Sequence, residues 1–486
     1  MLTLIPAFQI PAHASPAEVE ARILRAVAFV KEEYYSSGNF SGFLHSTVGN
    51  ESARSYAEDD ALIVMTLSSY QETHITTAFY ADLKNAVQSL LQLQSAQGDF
   101  HQYYDFQNST RGPSGRLYYW NAYAIMGVGY AAYVVTEQNN TESDHWLSVV
   151  DRLRLCIDTW LPRSQTQSGA VIFAFPDGAN RADVDYNGAL LMGLIHIAAF
   201  EYLWGSRNIA ETYGQYSKRI ADWLLKLQER DPSSWGNGGF YSDESRNLQT
   251  TSRNAFAMFG INSYYKGIGL LLPNQRTSLE GLRLVMQDWA QGYVEKIMDA
   301  SGGTSYGRNA SGLIPYPKLT QTTSVALAAM VDVWIDLGPP VYWDDCSRLY
   351  GWIVGSNKQA VDMQTDSGGF YAGLDSSGIL SNTDLTTTAL TLYSLIRAQY
   401  VSIPGTYPIQ RSSTATEGST TIVNQSAARK TQAAVTNSAS QVSSTGPLVL
   451  GVAGLVVLGI GAGLYAFRLR GRKRTRRDGR RRLRRC

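Results

Sequence analysis

The sequence contains few cysteines and few histidines, and their positions exclude two kinds of stabilising site. Only three cysteines occur among 486 residues, Cys156, Cys346 and Cys486, so no disulfide framework holds the chain together. A Cys156–Cys346 bridge stays open, although two buried free thiols agree better with a chain long enough to build a large core. The six histidines are scattered between positions 13 and 196, so we expect no zinc site, no other bound metal and no cofactor.

Positive charge is scarce in most of the chain and concentrated at its end. Residues 1–467 carry 30 basic and 40 acidic side chains, whereas 468–486 carry 12 basic residues and one acid, Asp478. Because contact with nucleic-acid phosphates depends on Lys and Arg, the acidic body is not expected to bind nucleic acid. The tail is expected to lie in the cytoplasm, where its partners would be anionic lipid headgroups. Binding of nucleic acid by the tail, and a role only in fixing the membrane topology, are the alternatives.

A long uncharged hydrophobic run lies immediately before the basic tail. Residues 447–467 have the length that spans a bilayer as a helix. Residues 411–446, which precede this run, are rich in Ser and Thr and contain no aromatic residue, a composition that predicts a flexible stalk. The sequence therefore predicts a single-pass protein of the cell membrane, with its N-terminal domain outside the cytoplasm and its C-terminus inside.

Residues 1–18 are expected to be either an N-terminal arm or the remnant of a signal peptide. The stretch contains the small-x-small trio Ala12-His13-Ala14 but lacks the basic residues that begin a signal peptide. Sequons for N-linked glycans also favour export and predict a glycoprotein. They lie at Asn39, Asn50, Asn108, Asn139, Asn309 and Asn424.

Residues 19–410 contain six repeats of a glycine-centred turn. The turns recur every 60 to 71 residues, and aromatic residues follow most of them closely. Their glycines are Gly38, Gly98, Gly169, Gly238, Gly302 and Gly368. In each repeat an amphipathic stretch precedes the turn, as in 77–94 and 217–228, and a nearly all-apolar stretch follows it.

The alternation of these two stretches predicts the architecture. A helix that is apolar on one face lies at a surface, whereas a helix that is apolar all round must be buried on every side. Six of each, strictly alternating, predict two concentric rings, an all-α (α/α)6 toroid over 19–410. An open solenoid is the alternative, but its terminal repeats would be polar caps, and the first and last repeats resemble the middle ones.

The turns also carry a motif that occurs in known ring-shaped proteins. Three repeats have a glutamine four residues before the glycine, at Gln94, Gln165 and Gln364. This motif resembles the QW-type repeat of terpenoid cyclases and protein prenyltransferases, and the turns resemble those of six-hairpin glycosidases, sugar epimerases and toroid polysaccharide lyases. The resemblance covers about 19–400 and implies the toroid fold. However, the D-x-D-D motif of class II terpenoid cyclases is absent, and no histidine follows His196 to complete a prenyltransferase zinc site.

The inner helices of such a toroid begin around one cleft, so polar side chains at their starts are candidates for a ligand site. The first inner helix offers Glu58, Asp59 and Asp60, and the third offers Asp183 and Asp185. Asp59, Asp60 and Asp185 are expected to be catalytic, because glycoside hydrolysis uses paired carboxylates. Capping or dipole stabilisation of the helix starts is the competing explanation for these acids.

Aromatic and charged residues at the helix starts are expected to bind substrate. Tyrosine and tryptophan supply faces for stacking on sugar rings, and charged groups hold a substrate by hydrogen bonds. The expected substrate-binding residues are Tyr119, Trp120, Tyr186, Arg181, Arg253 and Asp384.

These observations lead to one expected function and two alternatives. The expected protein is a membrane-tethered, extracytoplasmic carbohydrate-active enzyme: a glycoside hydrolase, lyase or epimerase that acts on polysaccharide or glycan through paired carboxylates. The first alternative is a non-catalytic cell-envelope binding module, which predicts that the acids at the rim do not converge. The second is a divergent terpenoid-cyclase or prenyltransferase-like protein, which predicts an apolar, aromatic-lined central cavity.

Overall fold

The computed structural model describes residues 16–45, 53–74, 78–271, 279–337, 343–357 and 360–400. The expected stalk, membrane span and basic tail, over 411–486, lie outside the described residues, as does most of the N-terminal arm. Among the helices that are described, none is long and apolar enough to cross a membrane.

Two sets of helices alternate along the chain. The outer helices bury one face, and they are α1 Pro16–Glu32, α3 Tyr80–Gln92, α5 Ser143–Ser164, α7 Arg207–Leu227, α9 Leu279–Trp289 with its continuation α10 Glu295–Ile297, and α12 Trp343–Ile353. The inner helices are α2 Ala57–His74, α4 Tyr119–Gln138, α6 Val184–Trp204, α8 Thr251–Leu271, α11 Thr320–Leu337 and α13 Leu385–Tyr400. Most inner-helix residues are buried, as expected for helices that are apolar all round.

The two sets close into rings. Each inner helix packs on the inner helices before and after it, and α13 packs on α2. In the outer ring, Arg22 of α1 forms an ion pair with Asp362, which follows α12, at 2.9 Å. The prediction of a closed (α/α)6 toroid is therefore confirmed for the described residues, and the solenoid alternative is wrong.

The signature glycines have a conformation that explains their recurrence. All six have positive φ, between 61° and 103°. A Cβ on Gly368 would lie 2.3 Å from the backbone oxygen of Arg25 in α1, so a side chain there would collide with the first outer helix. Glycine at this position therefore satisfies both the backbone conformation and the close approach that closes the ring.

The glutamines of the motif fasten each turn to the next outer helix. Nε2 of Gln94 donates to the carbonyl of Gly98 at 2.8 Å and to the carbonyl of Arg152 in α5 at 2.7 Å. Equivalent pairs of bonds are made by Gln165, Gln228 and Gln364. The motif thus joins neighbouring repeats by hydrogen bonds. A resemblance to the motif of other toroids therefore implies a shared architecture and does not imply a shared chemistry.

Short antiparallel strands, which the all-α prediction did not include, lie between the outer and inner helices. The two-stranded sheets join β1 Tyr34–Ser37 to β2 Phe40–Phe43 and β6 Phe173–Ala174 to β7 Asn180–Arg181. Three sheets have three strands each. The first contains β3 Arg54–Tyr56, β4 Tyr103–Asp105 and β5 Thr110–Arg111, and the second contains β8 Leu248–Thr250, β9 Gly307–Asn309 and β10 Gly312–Ile314. The third contains β11 Lys318–Leu319, β12 Tyr371–Leu374 and β13 Ile379–Thr383. Because β3, β8 and β11 run directly into inner helices and pair with the following repeat, they fix where those helices begin.

The two cysteines within the described residues are buried and unpaired. Cys156 lies in α5 and Cys346 lies in α12, and both are free thiols. Burial raises the pKa of both thiols, so neither is activated as a thiolate. The possible Cys156–Cys346 bridge does not form.

Candidate active site

The starts of the inner helices enclose a cavity of about 160 Å³. All six inner helices contribute to its wall, so the cavity lies inside the inner ring. Its lining residues are Glu58, Leu62, Tyr123, Asp185, Ser252, Phe256, Gln321, Val325, Thr386 and Leu390. Two carboxyl groups, on α2 and α6, therefore face one enclosed space that also offers amide and hydroxyl groups.

Glu58 is the first of these two carboxyl groups. Burial is the main cause that raises its pKa to about 8, and the neighbouring charge of Asp59 acts in the same direction, whereas His45 opposes it. At neutral pH the side chain is therefore mainly protonated, which is the state a general acid requires. From the sequence, Glu58 is a polar residue at the start of an inner helix, but it is not among the expected catalytic residues.

Asp185 is the second carboxyl group and was among the expected catalytic residues. Burial raises its pKa to about 6, although the ion pair with Arg253, whose Nε lies 3.9 Å from Oδ2, opposes the rise. Its Oδ1 is buried and has no hydrogen-bond partner among the described residues. A buried oxygen without a partner is costly unless water or a ligand satisfies it, so Asp185 is suited to contact a substrate.

Asp59 lies next to Glu58 but behind the cavity wall. Only 1% of the residue is exposed. Its Oδ2 lies 2.6 Å from Nδ1 of His45, and its Oδ1 accepts the hydroxyl hydrogen of Thr386, which lines the cavity. These contacts place Asp59 where it can orient Thr386 and influence Glu58.

Asp60 has a different environment from the two residues before it. It is fully buried, and its carboxyl group accepts hydrogen bonds from the backbone N–H of Phe43 at 3.3 Å and from the hydroxyl of Ser55 at 3.1 Å. Burial raises its pKa well above the ordinary value. Asp60 therefore joins β2 and β3 to α2, and its contacts are those of a structural residue rather than the expected catalytic one.

An aromatic wall extends from the cavity towards β6 and β7. The ring of Tyr119 lies 4.8 Å from that of Tyr186 and 5.3 Å from that of Phe175. The guanidinium of Arg181 in turn lies 3.9 Å above the Phe175 ring. The structure thus brings Tyr119, Tyr186 and Arg181 together around Phe175, and their binding of a substrate stays a prediction.

Trp120 and Asp384 have contacts that differ from the expected ones. Trp120 is 1% exposed, and its indole N–H donates to the carbonyl of Phe100 at 2.7 Å, so no face is open for stacking on a sugar. Asp384 accepts the backbone N–H of Thr387 at 2.6 Å and its hydroxyl at 3.0 Å, which makes it the N-cap of α13. The prediction that Trp120 and Asp384 bind substrate is therefore replaced by structural roles for both residues.

Arg253 and Asp183 form one unit beside Asp185. Arg253 donates from a terminal nitrogen to Oδ2 of Asp183 at 3.2 Å. Asp183 makes no side-chain cap bond to α6, although capping was the competing explanation for it. Because Arg253 is shared between two carboxylates, it fixes the position of Asp185 and keeps its pKa lower than burial alone would allow.

The residues that line the cavity share a helical phase. In four inner helices the second residue and the one four positions later both line the cavity, as Glu58 and Leu62 do on α2. Residues four apart share a helix face. Asp59 and Asp60 are one and two positions out of phase with Glu58, so they point elsewhere.

No metal-binding group accompanies the site in the part of the chain that is described. Across those residues, no cluster of three or more His, Cys, Asp or Glu side chains is arranged to hold an ion. The residues that line the cavity offer carboxyl, amide and hydroxyl groups, which can exchange protons with a ligand and form hydrogen bonds to it.

The structure is similar in fold to solved sugar-modifying enzymes at low sequence identity. A D-mannose isomerase has a TM-score of 0.61 and 13% identity, over 81% of this chain and 100% of that one. A cellobiose 2-epimerase from Bacillus thermoamylovorans has a TM-score of 0.58 and 12% identity, over 79% of this chain and 99% of that one. An inactive variant of an α-1,6-mannanase from Salegentibacter sp., in complex with α-1,6-mannotriose, has a TM-score of 0.51 and 11% identity, over 79% and 99%.

These similarities confirm the expected resemblance to the six-hairpin toroid proteins at the level of the fold. No known family model matches the sequence, and no curated protein does so either.

Proposed function

We propose that this protein is a glycoside hydrolase whose active site is the cavity at the starts of the inner helices. The observation that carries the proposal is the pair of carboxyl groups on Glu58 and Asp185, which line the same cavity with pKa values near 8 and 6. Two titratable groups whose pKa values differ in this way can hold opposite protonation states at one pH. Glycoside hydrolysis needs such a pair.

The roles of the two residues follow from their protonation states near pH 7. Glu58, protonated, would donate its proton to the oxygen of the departing sugar. Asp185, ionised, would act on the opposite side of the bond, either as a base towards water or as a nucleophile. Its unpartnered Oδ1 is available for that contact.

The surroundings of the cavity favour a sugar over the alternative ligands. The half-buried rings of Tyr119 and Tyr186 supply aromatic surface with polar edges, which suits a pyranose ring. The terpenoid alternative predicts an apolar cavity without a polar floor, and the binding-module alternative predicts carboxyl groups that lie apart. The names of the similar structures, which include a mannanase, an epimerase and an isomerase of sugars, agree with this proposal.

The test is a survey of the purified full-length protein on neutral oligosaccharides, beginning with α-1,6-mannotriose, and on uronic acid polymers. New reducing ends would support hydrolysis, an unsaturated product absorbing in the ultraviolet would indicate a lyase, and an isomer without new ends would indicate an epimerase. We expect kcat/KM to rise with pH through about 6, as Asp185 ionises, and to fall through about 8, as Glu58 loses its proton.

Variants separate catalysis from folding. Glu58→Gln and Asp185→Asn should each lower kcat by about 10²-fold or more, because each removes a proton-transfer group. Glu211→Gln on the outer helix α7, an exposed position that does not line the cavity, is the matched control and should retain activity. Full activity in both cavity variants would refute the assignment.

We also propose that the enzyme is tethered to a membrane by 447–467, with the stalk 411–446 and the toroid outside the cytoplasm and the basic tail 468–486 inside. The support is the sequence alone: the uncharged run, the positive charge that follows it and the sequons. Protease treatment of intact cells should release the toroid and leave an anchored fragment. A toroid that is protected until the cells are lysed would contradict the proposal.

A further inference from the structure

A second cavity lies at the other ends of the inner helices and has no part in the proposed reaction. It has a volume of about 260 Å³, larger than the candidate active site. Residues of all six inner helices line it, including Glu72 of α2, His196 of α6 and Asp332 of α11. Glu58 and Glu72 lie about 21 Å apart along α2 at 1.5 Å per residue, so the two cavities are separate sites at opposite mouths of the ring.

The two cationic side chains in the wall of the second cavity, Arg397 and Lys266, are already paired with carboxylates. The Arg397 guanidinium donates to Asp332 Oδ1 at 2.5 Å and to Glu72 at 3.0 Å. The hydroxyl of Tyr130 donates to the same Glu72 carboxylate. The amide nitrogen of Asn262 donates to Asp336, which also pairs with Lys266 at 3.1 Å. An anionic ligand would therefore have to compete with these carboxylates for Arg397 and Lys266.

Three hydrogen-bond acceptors on the same wall have no donor among the described residues. Nδ1 of His196 lies 2.7 Å from the carbonyl of Met192, which can only accept, so Nδ1 carries the hydrogen. Burial lowers the pKa of His196 to about 4, so the ring is neutral and Nε2 is a bare acceptor. No described residue bonds to that Nε2, to Oδ1 of Asn262 or to Oδ2 of Asp332, and Asp332 is only 8% exposed.

The charge and the aromatic residues of the cavity, like these acceptors, favour a cationic ligand. Three carboxylates, including Glu137, face two cations on the wall, and the C-terminal ends of the inner helices add partial negative charge. The rings of Tyr130 and Tyr133 lie 5.1 and 5.7 Å from the His196 ring, and tyrosine faces attract cations. The wall therefore favours a ligand that is positively charged and rich in N–H groups.

We propose that this second cavity binds a small organic cation that carries a primary ammonium group. The ammonium would donate to His196 Nε2, Asn262 Oδ1 and Asp332 Oδ2, which come from the neighbouring helices α6, α8 and α11. A metal ion is a poorer fit, because no group of three His, Cys, Asp or Glu ligands occurs in the described segments. The site lies outside the proposed catalytic machinery and does not depend on the proposed hydrolysis.

The test uses calorimetric titration of the full-length protein with three matched compounds. Putrescine supplies ammonium groups, 1,4-butanediol has the same length without charge, and tetramethylammonium has charge without N–H donors. We expect saturable binding of putrescine and at least tenfold weaker binding of the other two, since hydrogen bonds to charged groups are the stronger ones. Absence of putrescine binding, or equal binding of the diol, would overturn the proposal.

Three variants test whether putrescine binds in this cavity. His196→Phe keeps a ring of similar size but removes the acceptor, and we expect putrescine to bind at least tenfold more weakly. His145→Phe, at an exposed position of α5, is the matched control and should bind as the wild type does. Glu58→Gln should also bind normally, because it changes only the other mouth. Unchanged affinity in His196→Phe, with its fold confirmed by circular dichroism, would show that the cation binds elsewhere.

Discussion

Replacing Glu58 with glutamine should stabilise the folded protein at neutral pH while it removes the proposed acid. The pKa of Glu58 is about 8 in the folded protein, against an ordinary value of 4.5. Between these two values the unfolded chain ionises Glu58 while the folded chain keeps it protonated. The unfolded state therefore binds fewer protons, and the free energy of unfolding falls as pH rises through this window. Glutamine does not titrate and avoids this cost.

The size of the effect follows from the pKa difference. One pKa unit corresponds to about 1.4 kcal/mol, so the penalty at pH 7 could reach about 3 kcal/mol. Glu58 is partly open to the cavity, and solvent there reduces the penalty, so we expect a gain of about 1–3 kcal/mol in the variant at pH 7. The gain should shrink to a few tenths of a kcal/mol at pH 4.5, where the unfolded chain is half protonated, and should vanish below that pH.

The assay is thermal and urea unfolding of wild type, Glu58→Gln and the exposed control Glu211→Gln between pH 4.5 and 8.5. The difference between Glu58→Gln and wild type should grow with pH up to about 8 and then level off, whereas the control should follow the wild type. A Glu58→Gln variant that is less stable than wild type at pH 7, or a difference independent of pH, would refute the assignment of a buried protonated Glu58. Activity measured on the same samples then reports the acid role separately.

Further variants test the remaining assignments. Asp60→Asn should keep activity within about threefold while Asp185→Asn loses about 10²-fold, measured as kcat on the best neutral oligosaccharide, because only Asp185 faces the cavity; equal losses would contradict this. Gly368→Ala should lower the free energy of unfolding by about 2–4 kcal/mol through its positive φ and the collision with α1. Gly281→Ala in α9, which has open space around it, should be neutral or slightly stabilising in the same unfolding assay.

The ring was predictable from the sequence because the composition of each helix indicates how many of its faces are buried. Stretches such as 184–204 are apolar on every face and can only be inner helices, while 207–227 has one apolar face. The glycine turns marked the boundaries between them. The prediction missed the strands, since two- to five-residue strands such as β6 are too short to show a periodic pattern.

The candidate site was predictable only in part, because its composition depends on helical phase. The sequence points to the helix starts that line the cavity, with Asp185 among them, but it favours Asp59 and Asp60, which do not line the cavity, over Glu58, which does. A shift of one residue turns a side chain by about 100°, and helix boundaries from sequence are uncertain by more than that. Trp120 was misplaced for the same reason: it lies one residue beyond Tyr119 and turns into the core.

The parallel arrangement of the inner helices gives the two mouths of the ring opposite polarity. Their N-terminal ends surround Glu58 and Asp185 and favour ionised carboxylates, by about 0.3–1 kcal/mol at each helix end. That is less than one pKa unit, whereas the pKa of Glu58 is raised from 4.5 to about 8, so burial outweighs the helix dipoles and keeps the acid protonated. At the other mouth, the C-terminal ends and three carboxylates act together against two cations, Lys266 and Arg397. The same ring can thus hold a neutral acid at one end and attract a cation at the other.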